Sequence, residues 1–264
     1  MPELPDVANL KKYMESTALH RKVAHTSVDD ERILCDTTPQ ALGRRVKGAS
    51  FTGARRHGKF LFGAVDSGGF VVFHFGMTGN FSYYGEREER PEYAKVVFSF
   101  AGNGHLAYVC TRLLGEVGYT EDKTEFVEER GLGPDALDGD VDAEWFTGRL
   151  KGRSAGIKSL LMNQSVIAGI GNVYADEILF QSRIHPAARA DRLNATKKKR
   201  IFHAVRRVMR VAVRHNADVS SFPRGYLMKN RGEGEKCGRC SGTIEKTKVS
   251  GRGTYFCPKC QEKP

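Results

Sequence analysis

The sequence predicts an α+β protein: one helix, a β-rich body, a helical segment and a small cysteine-ligated module at the end. Three observations predict it. From Val23 to about Val109 the chain runs in short apolar stretches broken by Gly, Asp, Ser and Asn, whereas from Gly156 the apolar residues recur at helical spacing. The charges divide as sharply: residues 151–264 carry 24 Lys and Arg against 8 Asp and Glu, a net of +16, while residues 1–150 carry 18 against 23, a net of −5. Last, Cys237 and Cys240 are followed after sixteen residues by Cys257 and Cys260, the C-x2-C-x16-C-x2-C spacing of a zinc site on two short turns.

The elements follow in order. Residues 6–19 put Val7, Leu10, Tyr13 or Met14, and Ala18 at helical spacing, with Asp6 directly after Pro5 as a first-turn acid. Strands are expected in VKGASFTGARR (46–56), KFLFGAV (59–65), GFVVFHFGM (69–77), YAKVVFSF (93–100) and HLAYVC (105–110), and so many short runs indicate a β-sandwich or barrel. GEREERPE (85–92) reads as a charged surface turn. Residues 121–153, acidic and punctuated by Gly and Pro, read as the passage between domains. Helical patterns then cover IKSLLMNQSV and VYADEILFQSRI, separated by AGIGN, and one long helix spans 195–217 with Ile201, Val205, Val208 and Val213 inward. Nine Lys and Arg lie between Arg192 and Arg214; such a run is usually a solvated face, but in this half it points to a DNA-facing or adjacent role.

Composition narrows the function classes. At 264 residues and 40% hydrophobic the chain has material for two cores, and no apolar stretch approaches a membrane span. The start, MPELPDVANLKK, lacks the basic and apolar regions of a signal peptide. Zinc-holding thiolates must stay reduced, and Cys35 and Cys110 need not pair, so a reducing, cytoplasmic compartment is expected. Four thiolates leave no open coordination position, so the expected zinc is one structural ion rather than a catalytic one. A zinc-stapled module in a strongly basic half is the profile of a nucleic-acid binder. GIGN (169–172), between two helical patterns, fits that profile: its backbone N–H groups and the Asn172 amide can face one phosphate.

With these motifs in place the chain resembles the formamidopyrimidine-DNA glycosylase / endonuclease VIII family, nearer its formamidopyrimidine branch. The resemblance is carried by PELPDV (2–7), GKFL (58–61), HFGMTG (74–79), LGP (132–134), IKSLLMNQSVIAGIGNVYADEILFQSRIHP (157–186) and GRGTYFCPKCQ (251–261). It implies an N-terminal helix on a β-sandwich catalytic domain (1–125), a linker (126–153), a helix–two-turns–helix DNA-binding domain (154–230) and a zinc finger (231–264). It also implies a monomer acting on damaged double-stranded DNA, nucleoid-associated and without a membrane partner. The implied activity is that of a bifunctional DNA glycosylase with AP-lyase activity, excising oxidised bases.

The resemblance assigns roles. Pro2 would be the nucleophile once Met1 is removed, forming a Schiff base at the sugar C1′ and leading to β- and δ-elimination. Its amine needs little activation, since a terminal α-amino group has a reference pKa of about 7.7–8.0 against about 10.4 for lysine. Glu3 is the matched acid/base. Lys59, Lys158, Asn172 and Arg252 would hold phosphates around the flipped nucleotide, and Tyr174 and Glu177 also match, the latter to position neighbours. Met77 would enter the stack where the base has left, with Arg112 against the orphaned partner base.

Three departures stand out. Where the formamidopyrimidine branch has D-P-R-R-F-G, this chain has Cys110-Thr111-Arg112-Leu113-Leu114-Gly115, so the aromatic wedge becomes Leu114. Asp6 replaces the glutamate of PELPE, and the segment 215–236 is short where the branch has a longer loop over 8-oxoguanine. They leave the lesion open between ring-opened purines and oxidised pyrimidines. Asp6 and Leu114 also motivate an alternative, a non-catalytic lesion- or abasic-site-binding protein of the same fold. A plain zinc-ribbon adaptor would explain the charge and cysteines, but not Pro2, Glu3 and Lys59 together.

Overall fold

The computed structural model describes residues 1–261 and divides into two compact units, Met1–Gly131 and a second beginning at Leu132. The first holds α1 (Leu4–Ala18), β1 (Val23–Val28), β2 (Leu34–Cys35), α2 (Pro39–Val46), β3 (Phe51–His57), β4 (Phe60–Val65), β5 (Phe70–His74), β6 (Asn80–Tyr84), β7 (Ala94–Phe100), β8 (His105–Val109), β9 (Glu116–Thr120) and α3 (Lys123–Glu129).

Two sheets form the expected sandwich, one ordered β1-β7-β8-β6 and the other β2-β9-β5-β4-β3, antiparallel except for the β2–β9 pair. Their inner faces share one core, in which Phe51 and Phe73 of one sheet meet Phe98 of the other edge-on, with ring centroids 5.6 and 6.0 Å apart. Val7, Met14 and Ala18 of α1, and Leu42 and Val46 of α2, extend that core. The five-stranded sheet is also covered outside, where Phe62 and Val72 pack with Phe126 of α3. That second covering explains why KFLFGAV and GFVVFHFGM read as continuous apolar runs rather than alternating ones.

Three helices of the chain go beyond the pattern expected from sequence. The α2 helix, inside the stretch read as β, starts where the Thr38 hydroxyl accepts the Ala41 N–H, with Pro39 in its first turn. Residues 126–153 hold the end of α3 and a helix α4 (Ala143–Arg149), each opened by a capping aspartate, Asp122 and Asp142. The acids that gave this stretch its loop-like look are in part helix caps.

In the second unit α5 (Ile157–Met162), α6 (Asn172–Gln181) and α7 (Ala195–Arg214) precede the hairpin of β10 (Glu245–Val249) and β11 (Arg252–Phe256). α4 packs on α7, with Phe146 and Phe202 rings 5.7 Å apart. Ile201, Val205 and Val208 of α7 are buried as expected, whereas Val213 is only half-buried beside buried Ala212. Part of α7's charge is used within the unit: Lys199 pairs with Glu144, Arg206 donates to the Asp138 carbonyl, and Lys198 is buried. Among the described residues no helix is long and apolar enough to cross a membrane.

Candidate functional site

Each unit carries its own share of the expected site. At the head of α1, Pro2 is half-buried and Glu3 is 2% exposed. Glu3 is the N-cap residue, and a reciprocal box closes there: the Glu3 side chain accepts the Asp6 N–H, and Asp6 Oδ2 accepts the Glu3 N–H at 2.8 Å. The shorter acid at position 6 therefore still reaches its partner. Burial raises the Asp6 carboxyl above its usual pKa, against the pull of the Glu3 N–H. Lys59 is buried in the two-residue turn between β3 and β4, after Gly58, whose φ of +56° suits a residue without Cβ. The imidazole of His74, on β5 and tilted against the Phe60 ring at 4.8 Å, is held below its usual pKa, mainly by burial and secondarily by the charges of Lys59 and Arg130 against that of Glu116.

The expected wedge residues come together. Met77 is 44% exposed, Leu114 is 50% exposed, and Arg112 is exposed too. Their two turns abut, since a Cβ on Gly76 would lie 2.2 Å from the Leu114 carbonyl oxygen. Only glycine, here at φ +54°, fits that contact.

In the second unit, the connection from α5 to α6 is tied from inside. Gln164 Nε2 donates to the Met162 and Ile170 carbonyls at 2.7 and 2.8 Å, and its Oε1 accepts the Gly169 N–H at 2.9 Å. The LGP segment pins the same connection, with Gly133 N–H on the Gln164 carbonyl and Ala168 N–H on the Pro134 carbonyl, both at 2.8 Å. α6 starts after Gly171 with no side-chain cap and no acid in its own first turn. Asn172 Nδ2 reaches the Gly253 carbonyl at 3.1 Å, which joins this helix end to the strand bearing exposed Arg252.

Lys158 lies elsewhere than a surface contact would. It is 1% exposed, forms an ion pair with Asp176 Oδ1 at 2.7 Å and donates to Thr254 Oγ1 at 2.6 Å. Burial pulls the Lys158 ammonium below its usual pKa, while Asp176 opposes the shift. Asp176 Oδ2 also accepts Arg231 Nη2 at 2.7 Å and the Tyr255 N–H at 3.2 Å. One buried carboxylate thus joins α5, α6, the segment after α7 and β11. Next to it a hollow of about 250 Å³ is lined by Lys158, Ser159, Asn163, Ser250 and Arg252. Asp176→Ala is expected to leave two cations unpaired and to cost about 3–5 kcal/mol, read as a lower denaturant midpoint.

Glu177, fully buried, accepts Gln181 Nε2 at 2.7 Å and the Met228 N–H at 2.8 Å, and burial pushes its carboxyl up to about 7. It thereby fastens the short segment after α7 onto α6. The sulfurs of Cys237, Cys240, Cys257 and Cys260 all lie within 4.8 Å of one another, with separations of 3.5 Å for Cys240–Cys257 and 3.8 Å for Cys237–Cys260. Zn–S bonds of about 2.3 Å in a tetrahedron put sulfurs roughly 3.8 Å apart. The four residues fit one structural zinc ion.

Three segments match family models: residues 1–117 the formamidopyrimidine-DNA glycosylase N-terminal domain, 132–223 the formamidopyrimidine-DNA glycosylase H2TH domain, and 234–263 the zinc finger found in FPG and IleRS. The formamidopyrimidine-DNA glycosylase of Listeria monocytogenes serotype 4b is 31% identical over 279 residues, covering 99% of this chain and 100% of the relative. The chain belongs to the formamidopyrimidine-DNA glycosylase family. Family members of known structure share its fold along the whole chain. The Lactococcus lactis enzyme bound non-covalently to DNA containing an AP site superposes with a TM-score of 0.90 at 26% identity, and a mutant of the Lactococcus lactis enzyme in complex with Fapy-dG-containing DNA superposes with 0.91 at 27%. Each pairing covers 99% of this chain and 100% of the other. Membership makes the chain a DNA glycosylase of base excision repair.

Proposed function

We propose that this glycosylase is bifunctional: it removes oxidised bases from duplex DNA through a Schiff base on Pro2 and then cuts the strand as an AP lyase. The observation that carries the reading is Pro2 directly before a buried Glu3 whose backbone and side chain are both held by the first turn of α1. Once Met1 is removed, the Pro2 nitrogen bonds to C1′, the glycosidic bond breaks, and its electron pair leaves with the base. Glu3 moves the protons. The Pro2 nitrogen, having lost its proton, then expels O4′ from C1′ as O4′ takes up a proton, which opens the sugar to the iminium; loss of a C2′ proton from it expels the 3′-phosphate, and a further elimination expels the 5′-phosphate.

Arg252, Asn172 and Lys59 contact phosphates in this reading, and Lys158 supports from the wall the hollow that Arg252 lines. Replacing Arg252 by Ala should weaken binding to lesion-bearing and intact duplexes alike. It should also flatten the fall of log K with log salt by about one unit. An unchanged slope in a fluorescence titration would place the phosphate contact on another residue.

Two features bear on the lesion. Leu114 has no flat face to stack, and the segment after α7 is folded down, with Met228 on Glu177 and Lys229 Nζ on the Phe222 carbonyl at 3.0 Å. Both favour ring-opened purines or oxidised pyrimidines over a base that needs a covering loop. The deciding experiment incubates the protein with duplexes bearing each lesion in the presence of borohydride and maps the adduct. An adduct on the peptide beginning at Pro2 is expected, and one on an internal lysine would overturn the assignment. Tight lesion binding with neither adduct nor base release would instead favour a non-catalytic lesion-binding protein, the reading that Leu114 leaves open.

A further inference from the structure

We infer that the second unit holds a further binding site, a cavity beside the zinc turns that takes a small, multiply charged anion of the oligophosphate class. The cavity encloses about 500 Å³ and is lined by five cations, Arg183, Lys197, Arg200, Arg239 and Lys259. Among the described residues no acid lines it, and none of the five forms an ion pair. Two of them are steered by neutral groups: Arg239 donates to the Phe180 carbonyl and Lys259 to the Ser241 hydroxyl, both at 3.3 Å. A solvated charge run spreads its cations over a surface, whereas these five converge on one space. The metal centre does not account for them either. Four thiolates around one Zn²⁺ leave two negative charges, fewer than the five positive ones.

Rigid parts of the unit place these charges. Cys237-Gly238-Arg239-Cys240 and Cys257-Pro258-Lys259-Cys260 each put a cation directly before the second cysteine, so a zinc ion on those cysteines fixes both. Lys197 and Arg200 stand three residues apart on α7 and share a face. Lys197 lies in the first turn of that helix, which carries no acid, although a helix N-terminus favours anions over cations. Arg183 is the sharpest case. α6 closes with the Arg183 N–H on the Phe180 carbonyl at 3.1 Å and the Ile184 N–H on the Leu179 carbonyl at 2.9 Å. That closure sets Arg183 at φ +55°, a position where glycine is usual. An arginine held there against a steric penalty, with its side chain on a cavity, points to a use for the side chain.

The lining fixes the ligand's chemistry. Guanidinium and ammonium groups only donate, so the ligand must be rich in acceptor oxygens and carry several charges close together, as a chain of phosphates does. Guanidinium forks suit phosphate oxygens in particular. Buried Ile184, Ala188 and Leu193 add an apolar wall, and the volume is that of a small-molecule site. A DNA strand instead spaces single charges along its length. The hollow that Lys158 and Arg252 line is also remote from this cavity. The two lie at opposite ends of α6 (Asn172–Gln181) and of β11 (Arg252–Phe256), each of which spans about 15 Å.

The test titrates the zinc-loaded full chain with sodium tripolyphosphate in a calorimeter, with zinc content measured before and after. One tripolyphosphate per chain is expected, bound more tightly than orthophosphate. Arg183→Gly and Arg200→Ala should each weaken it about tenfold, the loss of one charge-assisted contact. Arg183→Gly should also keep its thermal midpoint at or above the parent's, because glycine meets no penalty at φ +55°. A packing role for Arg183 would lower that midpoint and leave the affinity alone. Arg210→Ala removes an exposed charge of α7 outside the cavity and should change the affinity less than about twofold. Saturation with abasic duplex should leave the tripolyphosphate bound. ATP serves as a second probe: tighter binding than tripolyphosphate makes the ligand a nucleotide, weaker binding an inorganic chain, and both are the proposed class. A zinc-loaded protein that binds neither would overturn the proposal. So would equal losses in Arg200→Ala and Arg210→Ala, which reduce the effect to net charge, or displacement of the tripolyphosphate by duplex, which gives the cations to DNA.

Discussion

Cys257→Ser, or chelation of the zinc, is expected to unfold the C-terminal hairpin and abolish DNA binding while the unit Met1–Gly131 remains folded. The hairpin cannot hold itself. β10 exposes four of its five residues, and the small core beneath the module is made of Phe180, Leu227, Cys237, Ile244 and Cys257. Two of those five are metal ligands, so the apolar material left without zinc is slight. Structural zinc in modules of this size contributes roughly 10–16 kcal/mol of apparent binding free energy, and here that is folding free energy. The loss would spread, because β11 supplies the Gly253 carbonyl to Asn172, the Thr254 hydroxyl to Lys158 and the Tyr255 N–H to Asp176. Arg252→Ala removes one contact, whereas zinc loss removes the scaffold of several. Zinc content, far-ultraviolet dichroism and abasic-duplex binding measured on one preparation check this. A zinc-free protein that binds with native affinity would overturn it.

The sandwich was legible because its strands are apolar and separated by turn residues, as in β4, β5 and β8. Helices α2, α3 and α4 were hidden because each spans only seven or eight residues, too short for a period to show. Their caps were readable after the fact: Thr38 before Pro39, Asp122 before Lys123 and Asp142 before Ala143. The charge run of α7 stayed ambiguous because net charge says nothing of how it is paired. Lys199 and Arg206 are engaged within their own unit, whereas Arg210 and Arg214 are exposed.

Within the site, the metal ligands could be read from spacing alone, since four thiolates at those intervals have few other uses. Pro2 and Glu3 could not: without the resemblance they look like an unstructured tail, and only the box with Asp6 reveals that they are held. Lys158 sits at the expected position in the chain, but its burial depends on Asp176, Thr254 and Arg231 from three other segments. The acids of VYADEILF resemble an ordinary helical charge pair. A sharper sign was present, because Asp176 and Glu177 are the only charges in an otherwise uncharged ten-residue helix. Two carboxylates on a helix with no cation of its own must find partners elsewhere or remain costly to bury.

Replacing Pro2 by Gly should cut single-turnover excision and borohydride trapping about 10²-fold, with DNA affinity nearly unchanged. Glycine keeps an α-amine, so the experiment isolates the ring. The pyrrolidine ring locks rotation about the N–Cα bond and aims the nitrogen, and its secondary amine passes directly to a cationic iminium. Glycine frees that backbone at a step where a misplacement of about 1 Å can cost about 10²-fold. Glu3→Gln tests the neighbouring role without disturbing the helix, because the amide oxygen can still accept the Asp6 N–H that Glu3 accepts now. The substitution removes the group that moves protons, and such catalysis is worth about 10²–10⁴-fold. Base excision should fall by that amount. Cleavage of a preformed abasic site should fall less, because no base has to depart. Equal losses on both substrates would remove Glu3 from the excision step, and a Pro2→Gly protein that traps DNA at the native rate would remove Pro2 from catalysis.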